Sequence, residues 1–199
     1  MKRVLDFSLV ADTGTPMEYS EELRSRLTTM PETLERANSA VMFAQQAAKQ
    51  SEPWISAAFL RASLADLCAM EEMQKFDRPT SLPVKVADER NPLLHLLVLL
   101  RLLNIHVKAM AVAPEHSVIS FNGMPLALDD QPLTWSVLVV TNLSSSDLAA
   151  LRDGAKYDLS DLERCVTWFS DRQRSGGVGG LVVQGVAIFA KQLCDRHNP

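Results

Sequence analysis

Cysteine is scarce in this chain, and its few residues are widely spaced. Cys68, Cys165 and Cys194 are odd in number, form no Cys-x-x-Cys pair and have no metal-ligand spacing with the four histidines. This arrangement is typical neither of a disulfide framework nor of a zinc site. We therefore expect three reduced, mostly buried thiols in a cytoplasmic protein, with no metal and no other cofactor.

Long runs of Lys and Arg are also missing. The net charge is −4 and the isoelectric point is about 5.6. Strong nonspecific binding to a nucleic-acid backbone requires a concentration of positive charge, so the composition excludes that class of protein. Local recognition by a few arginines remains compatible with it.

No apolar run is long enough to suggest a membrane segment. The stretch from Leu93 to Leu103 is too short to span a bilayer and contains His95 and Arg101. At the N-terminus, Asp6 and Asp12 interrupt the apolar region that a secretory signal would need. We expect no secretory signal and no membrane association.

Helical patterns occupy the first half of the chain. One helix begins near Ser20 and is interrupted at Pro31, which suits the first turn of the next helix. A third follows Ser51, which is expected to cap it. A fourth and very apolar helix has Asn91 as its cap and Pro92 at its first position, and it extends to about residue 107.

The periodicity then changes to one that predicts strands. Lys108–Val112 and Ser117–Phe121 indicate two strands around a turn at Pro114, and Asn122-Gly123 is a second turn signal. Leu133–Val140 is the strongest strand pattern. These segments predict a three-stranded antiparallel sheet, to which residues 1–15 can add a short strand.

The C-terminal part again predicts helices. Ser144 caps a short one, and another starts near Asp158. Gly176–Gly180 then breaks the chain before a final helix from about Leu181 to Leu193. This glycine-rich break favours a flexible hinge; the alternative is a phosphate-binding loop beside Arg172 and Arg174.

The fold class that these patterns predict is α+β, predominantly α-helical. Apolar residues make up 47% of the chain and charged residues 22%, which is typical of a globular protein. No repeat or linker divides it, so we expect a single domain over residues 1–199. Within it, a helical bundle covers 20–107, a small antiparallel sheet 108–141 and further helices 144–196. We expect Trp54, Trp135 and Trp168 to anchor the core.

The apolar fourth helix carries the polar residues of greatest interest. Arg101 and His106 are five residues apart and are therefore rotated by about 140° around the helix. Arg90 and His95 repeat the spacing, although Asn91-Pro92 places Arg90 before the helix. Unpaired burial of such groups costs about 1–3 kcal/mol each, so they need partners or a function.

Over about residues 30–107 the chain resembles the HEPN superfamily of helical domains. The resemblance lies in the helix around Phe59–Asp66, the proline-containing loop and the segment from Pro92 to His106. The family motif is an arginine, often followed by a polar residue, with a histidine four to six residues after the arginine. Leu102 departs from the polar position after Arg101.

The resemblance implies a homodimer that binds RNA or cleaves it without a metal. His106 would transfer protons, Arg101 would hold the phosphate, and Asn104 would orient either one. Arg90 and His95 are the second candidate pair. The alternative is a non-enzymatic helical protein that serves dimerisation or partner docking. In that case Arg101 pairs with Asp66, Glu71 or Glu72, and His106 interacts with the helix C-terminus.

Overall fold

Six α-helices and several short strands make up the computed structural model, which describes residues 2–10, 18–86, 90–121 and 124–197. The helices are α1 Glu21–Leu27, α2 Pro31–Lys49, α3 Pro53–Asp77, α4 Pro92–His106, α5 Ser145–Ala150 and α6 Leu159–His197. The strands are β1 Val112–Val118, β2 Ser120–Phe121, β3 Met124–Pro125, β4 Ala127–Leu128, β5 Gln131–Pro132 and β6 Thr134–Val140. The predicted class, a predominantly helical α+β fold, is confirmed.

Side-chain caps begin three of the helices at the expected places. Ser20 accepts a hydrogen bond from the Leu23 amide, Asn91 from the Leu93 amide and Ser144 from that of Asp147. Ser20 caps α1, Asn91 caps α4 and Ser144 caps α5. The prediction that Ser51 caps α3 is wrong, because the cap position falls on Glu52, whose side chain makes no capping bond.

The start of α2 is capped from another helix. Met30 precedes Pro31 and has no side-chain oxygen with which to cap. Instead Asp77, the last residue of α3, accepts hydrogen bonds from the amides of Glu32 (3.1 Å) and Thr33 (2.8 Å) and from the Thr33 hydroxyl (2.6 Å). This carboxylate joins the two ends of the α2–α3 helical hairpin.

Helix α4 lies at the centre of the core. Its residues from Pro92 to Leu97 are all buried, as are Leu99, Leu100 and Leu103. It contacts α3, α5, α6 and the short 3-10 helix Phe7–Val10. Helix α4 is therefore buried on nearly all sides.

Strand β1 contradicts the predicted turn at Pro114. It runs through that proline and pairs antiparallel with β6, with Pro114 opposite Leu138. The Thr141 amide donates to Ala111 and the Ile119 amide to Leu133, so odd-numbered residues of β1 bond to β6 in this register. Pro114 is even-numbered, so the position of its missing N–H faces away from β6. An edge strand tolerates proline at such a position.

The predicted three-stranded sheet is also wrong, because the strands form three separate two-stranded ladders: β1 with β6, β2 with β3, and β4 with β5. We call these the β arms. They meet where Ile119 donates to Leu133, Leu133 to Leu126 and Leu126 to Ile119, at 2.7–2.8 Å. Asp129 and Asp130, with φ of 49° and 62°, turn the β4–β5 arm back on itself.

Two further strand predictions concern the turn at Asn122-Gly123 and the N-terminus. The first lies outside the described residues, although β2 and β3 pair on either side of it. At the N-terminus, residues 2–10 contain the 3-10 helix and no strand. Residues 11–15 of that predicted strand lie outside the described part.

The glycine-rich segment is a kink inside α6. Helix α6 consists of two helical parts between Leu159 and His197 that join at Gly177, whose φ of 72° and ψ of 156° are not helical. A Cβ atom on Gly179 would lie 2.8 Å from the Ala44 carbonyl oxygen, so α2 approaches the backbone of α6 here. The predicted hinge is therefore a packed bend, which a glycine conformation makes possible.

Two of the three tryptophans are not core residues, contrary to the prediction. Trp54 is 69% exposed and Trp135 46% exposed, whereas Trp168 packs partly against the core. The largest fully buried side chains are instead Phe169 and Phe189 of α6.

The thiols are free, as expected. Cys165 and Cys194 are buried and Cys68 is partly buried. Burial raises the pKa of Cys68 to about 11 and that of Cys165 to about 12, so both stay protonated at neutral pH.

One helix in the described residues, α6, is long and apolar enough to cross a membrane by length and composition alone. Of its most apolar stretch, 61% is buried against the rest of the protein, and the core helix of a folded protein passes the same test. This is weak evidence for a membrane span.

Two glycines of α6 should respond in opposite directions to alanine. Gly180 is helical and a Cβ there meets nothing within 4 Å, so Gly180→Ala should raise the free energy of unfolding by about 0.5–1 kcal/mol. Gly177→Ala should lower it by about 1–3 kcal/mol, because its positive φ disfavours a side chain. Urea denaturation measures both, and equal effects would contradict the kink as a glycine-dependent feature.

Candidate functional site

Arg101 lies partly buried on α4. Its Nε atom is buried and has no hydrogen-bond partner in the described part of the chain. Two of the carboxylates expected to pair with it bind other cations: Asp66 pairs with Arg36 at 3.1 Å and Glu72 with Lys75 at 2.6 Å. The third, Glu71, accepts a hydrogen bond from the Val86 amide at 3.1 Å.

The other two residues of the first candidate set differ in accessibility and contacts. His106 is the last residue of α4 and is exposed to solvent. Asn104 accepts a hydrogen bond from the Met110 amide at 3.0 Å, so its side chain fixes the turn that follows the helix. That bond gives Asn104 a structural role in this turn.

The second candidate pair is divided between surface and core. Arg90 is exposed, and its carbonyl accepts from the Asp6 amide at 2.8 Å. His95 is only 3% exposed, and its Nδ1 is hydrogen-bonded to the Tyr157 hydroxyl. In this conformation a phosphate in solvent can meet Arg90 but not His95.

Tyr157 and Arg3 complete a buried polar cluster around His95 that the sequence analysis missed. Arg3 Nη1 donates to the Tyr157 hydroxyl at 2.9 Å, and the guanidinium carbon lies 5.6 Å from the centre of the tyrosine ring. Burial raises the pKa of Tyr157. The three residues come from distant parts of the chain, so no local spacing could have revealed the cluster.

A groove with a volume of about 480 Å³ lies elsewhere on the molecule, between α2, β6 and the bend of α6. Its walls are mostly apolar or backbone. They include Val41, Ala44 and Ala48 of α2, Trp135–Leu138 of β6, and Gly176, Gly177, Gly179, Gly180 and Val183 of α6. A volume of about 300–1,000 Å³ with apolar walls and few polar groups is typical of binding sites.

Few polar side chains line this groove: Glu18, Tyr19, Gln45, Ser136 and Gln184. The Tyr19 hydroxyl donates to Asn38 Oδ1 at 3.2 Å, and burial raises its pKa to about 12. Tyr19 is therefore neutral at physiological pH. Apart from Glu18, the described residues contribute no carboxylate and no cation to the lining.

One edge of β6 faces this groove. In the register described above, the backbone N–H and C=O groups of Thr134, Ser136, Leu138 and Val140 point away from β1. The groups of Val140 are taken by the buried side chain of Gln173, which accepts from its N–H at 2.8 Å and donates to its C=O at 3.0 Å.

Gly177 covers the next position along this edge. A Cβ atom on Gly177 would lie 3.6 Å from both the N and the O of Leu138. The edge is therefore occupied at Val140 and Leu138, and it opens into the groove at Ser136. No sequence motif marks this site, because it depends on a strand register and a helix bend.

The phosphate-loop alternative for the glycine segment placed Arg174 beside it. Instead, Arg174 Nε lies 3.5 Å from Glu115 Oε2, and Arg174 Nη1 lies 3.8 Å from Asp171 Oδ1. These carboxylates neutralise a cation on which phosphate binding would depend. The glycines serve the bend and the groove.

Comparison with protein-family models, curated proteins and solved structures finds no match for this chain.

The buried Tyr157 hydroxyl should contribute to stability. Tyr157→Phe removes its bonds to His95 and Arg3 inside the protein, so we expect a loss of about 1–3 kcal/mol in the free energy of unfolding. Tyr19→Phe is the matched control, because it removes a single bond of a half-buried hydroxyl. Urea denaturation of both variants tests this, and equal losses would show that the His95 cluster has no special structural role.

Proposed function

We propose that this chain is a non-enzymatic docking protein that binds a protein partner through the β arms. The observation that carries the proposal is a set of large apolar side chains, all at least 36% exposed, within residues 118–135. They are Val118, Ile119, Met124, Leu126, Leu128, Leu133 and Trp135.

These side chains do not serve the core. The part of β6 that packs inside the protein is Val137–Val140, whereas the described side chains between 118 and 136 are all exposed. Large contiguous apolar patches on protein surfaces mark interaction sites. Burying one exposed leucine against a partner contributes about 1.5–3 kcal/mol, so a few of these side chains suffice for specific binding.

The charge of the arms indicates the chemistry of the partner. Asp129 and Asp130 lie together in the turn between β4 and β5, beside exposed Leu128. A partner whose apolar surface is bordered by Lys or Arg complements these carboxylates. We therefore assign the patch to a different protein with a basic rim rather than to a second copy of this acidic chain.

Leu128→Glu should abolish this interaction without disturbing the fold, because Leu128 is 66% exposed. A photo-crosslinking amino acid at position 128 identifies the partner, which is then purified and titrated. We expect the affinity between this partner and the chain to fall at least about tenfold for Leu128→Glu. Asp130→Lys should also weaken binding, with an effect that declines at high salt.

Leu159→Glu is the matched control, since Leu159 is 53% exposed at the start of α6 and far along the chain from the arms. The affinity of the Leu159→Glu variant for the partner should stay within about twofold of the wild-type value. Adducts formed only between copies of this chain, or a partner whose affinity is unchanged by Leu128→Glu, would contradict the proposal.

A second candidate function is RNA binding or metal-independent RNA cleavage by a HEPN-like homodimer. The exposed position of His106 favours it, because a solvent-facing imidazole can exchange protons with a 2′-hydroxyl. In this mechanism Arg101 holds the phosphate across the dimer.

Cleavage of labelled RNA in EDTA tests this second function. His106→Ala and Arg101→Ala should each abolish it, whereas His95→Gln, at a buried position, should retain it if folded. Sedimentation should give twice the chain mass of 22.0 kDa. A monomer, or cleavage that survives His106→Ala, would refute the composite site.

A further inference from the structure

We infer that the groove between α2, β6 and α6 binds an extended, apolar peptide segment of a partner protein, which adds as a strand to the open edge of β6. This inference goes beyond the proposed docking through the β arms. Of the exposed apolar side chains on which the docking proposal rests, only Trp135 also lines the groove in the described part of the chain.

Hydrogen-bond geometry is the first argument. Ser136 presents its N–H and C=O away from β1, at the point where the edge of β6 opens into the groove. Ser136 is exposed, so both of these backbone groups are accessible to a strand that enters from solvent. An added strand supplies an alternating C=O and N–H at the matching spacing, which is the basis of strand addition to sheet edges.

The protein already uses this geometry on the same edge. Two residues along from Ser136, the N–H and C=O of Leu138 that point away from β1 face Gly177. At Val140, the Gln173 amide forms the pair of hydrogen bonds that a neighbouring strand would form. A peptide at Ser136 and Thr134 would therefore continue a row of partners that the chain itself begins.

The bend of α6 supplies the space. Gly176 and Gly180 both line the groove, and a Cβ atom on either meets nothing within 4 Å. Side chains at these positions would enter the groove. Glycine at both therefore keeps open a channel beside the strand, at a cost in helix stability of about 1 kcal/mol each.

The walls indicate which side chains the peptide carries. Val41, Val183 and Trp135 are apolar, and Ala44 and Ala48 leave room for larger groups. Alternate side chains of an extended peptide point to opposite sides, so apolar residues at alternate positions would contact these walls. Among the described residues of the lining, Glu18 carries the only charged side chain, which favours a Lys or Arg at one end of the peptide.

A buried polar atom lies beside the same strand. A pocket of about 40 Å³ shares Ala48, Ser136 and Leu138 with the groove and reaches Ser56. Ser56 is 1% exposed, and its Oγ has no hydrogen-bond partner within the described residues. A polar side chain of the peptide that reaches this small pocket would supply the missing partner of the hydroxyl.

A displayed library of random seven-residue peptides, selected against the full chain, tests the inference. We expect enriched peptides with apolar residues at alternate positions and one basic end. Gly180→Leu should weaken their binding at least about tenfold, because its side chain fills the groove. Thr167→Leu is the matched control, since it adds a leucine on an exposed face of the same helix.

Backbone methylation distinguishes strand addition from other binding modes. N-methyl groups on the amides that face β6 should weaken binding about tenfold or more, whereas methylation of the alternate amides should change it by less than about twofold. Hydrogen exchange should slow at the Ser136 amide on binding and stay unchanged at Val139, which already pairs with Ala113.

Three results would overturn the inference: no peptide that discriminates wild type from Gly180→Leu, equal binding of both methylated sets, or no protection at Ser136. Leu128→Glu separates this site from the β arms. It should leave peptide binding intact, so that failure of one proposal does not imply failure of the other.

Discussion

The structure depends on the burial of one helix on nearly every side. Residues Pro92–Leu103 are apolar except for His95 and Arg101, so α4 cannot lie at a surface without exposing leucines. Helices α3, α5 and α6 and the N-terminal 3-10 helix all contact it. On one side the approach is very close, because a Cβ atom on Gly185 of α6 would lie 2.4 Å from Leu97 Cδ1.

That requirement determines what α6 must do. The helix covers α4 near Gly185, and its first half carries Gln173, which completes the edge of β6. The bend at Gly177 lies between these two tasks and changes the direction of the helix. A second buried glutamine, Gln74 of α3, pairs in the same way with both backbone groups of Val84 at 2.8 Å. At both positions, a glutamine side chain forms the pair of backbone hydrogen bonds that a neighbouring strand would form.

The sequence predicted local features well and long-range ones poorly. Ser20, Asn91 and Ser144 begin helices as expected, because capping depends on neighbouring residues alone. The route of β1 through Pro114 could not be predicted, since a proline is tolerated only where its missing N–H faces away from the partner strand. That orientation follows from a pairing partner more than twenty residues away.

The candidate site shows the same division. The sequence drew attention to Arg101, His106 and His95 because polar residues are conspicuous on an apolar helix. It could not show that His95 would meet Tyr157, 62 residues later, or that Asn104 would bind the Met110 amide. The open edge of β6 carries no motif at all, because any residue sequence presents the same backbone groups.

Polar and apolar side chains are distributed differently on α4 and on the β arms. Two of the polar side chains on α4, those of His95 and Asn104, have structural partners, whereas His106 remains exposed. The β arms show the opposite pattern, with leucines, valine and tryptophan in solvent. Exposed apolar side chains carry a free-energy cost that is removed when another protein covers them. Covering the arms requires no chemistry on the partner, and this supports our proposal of docking over that of RNA cleavage.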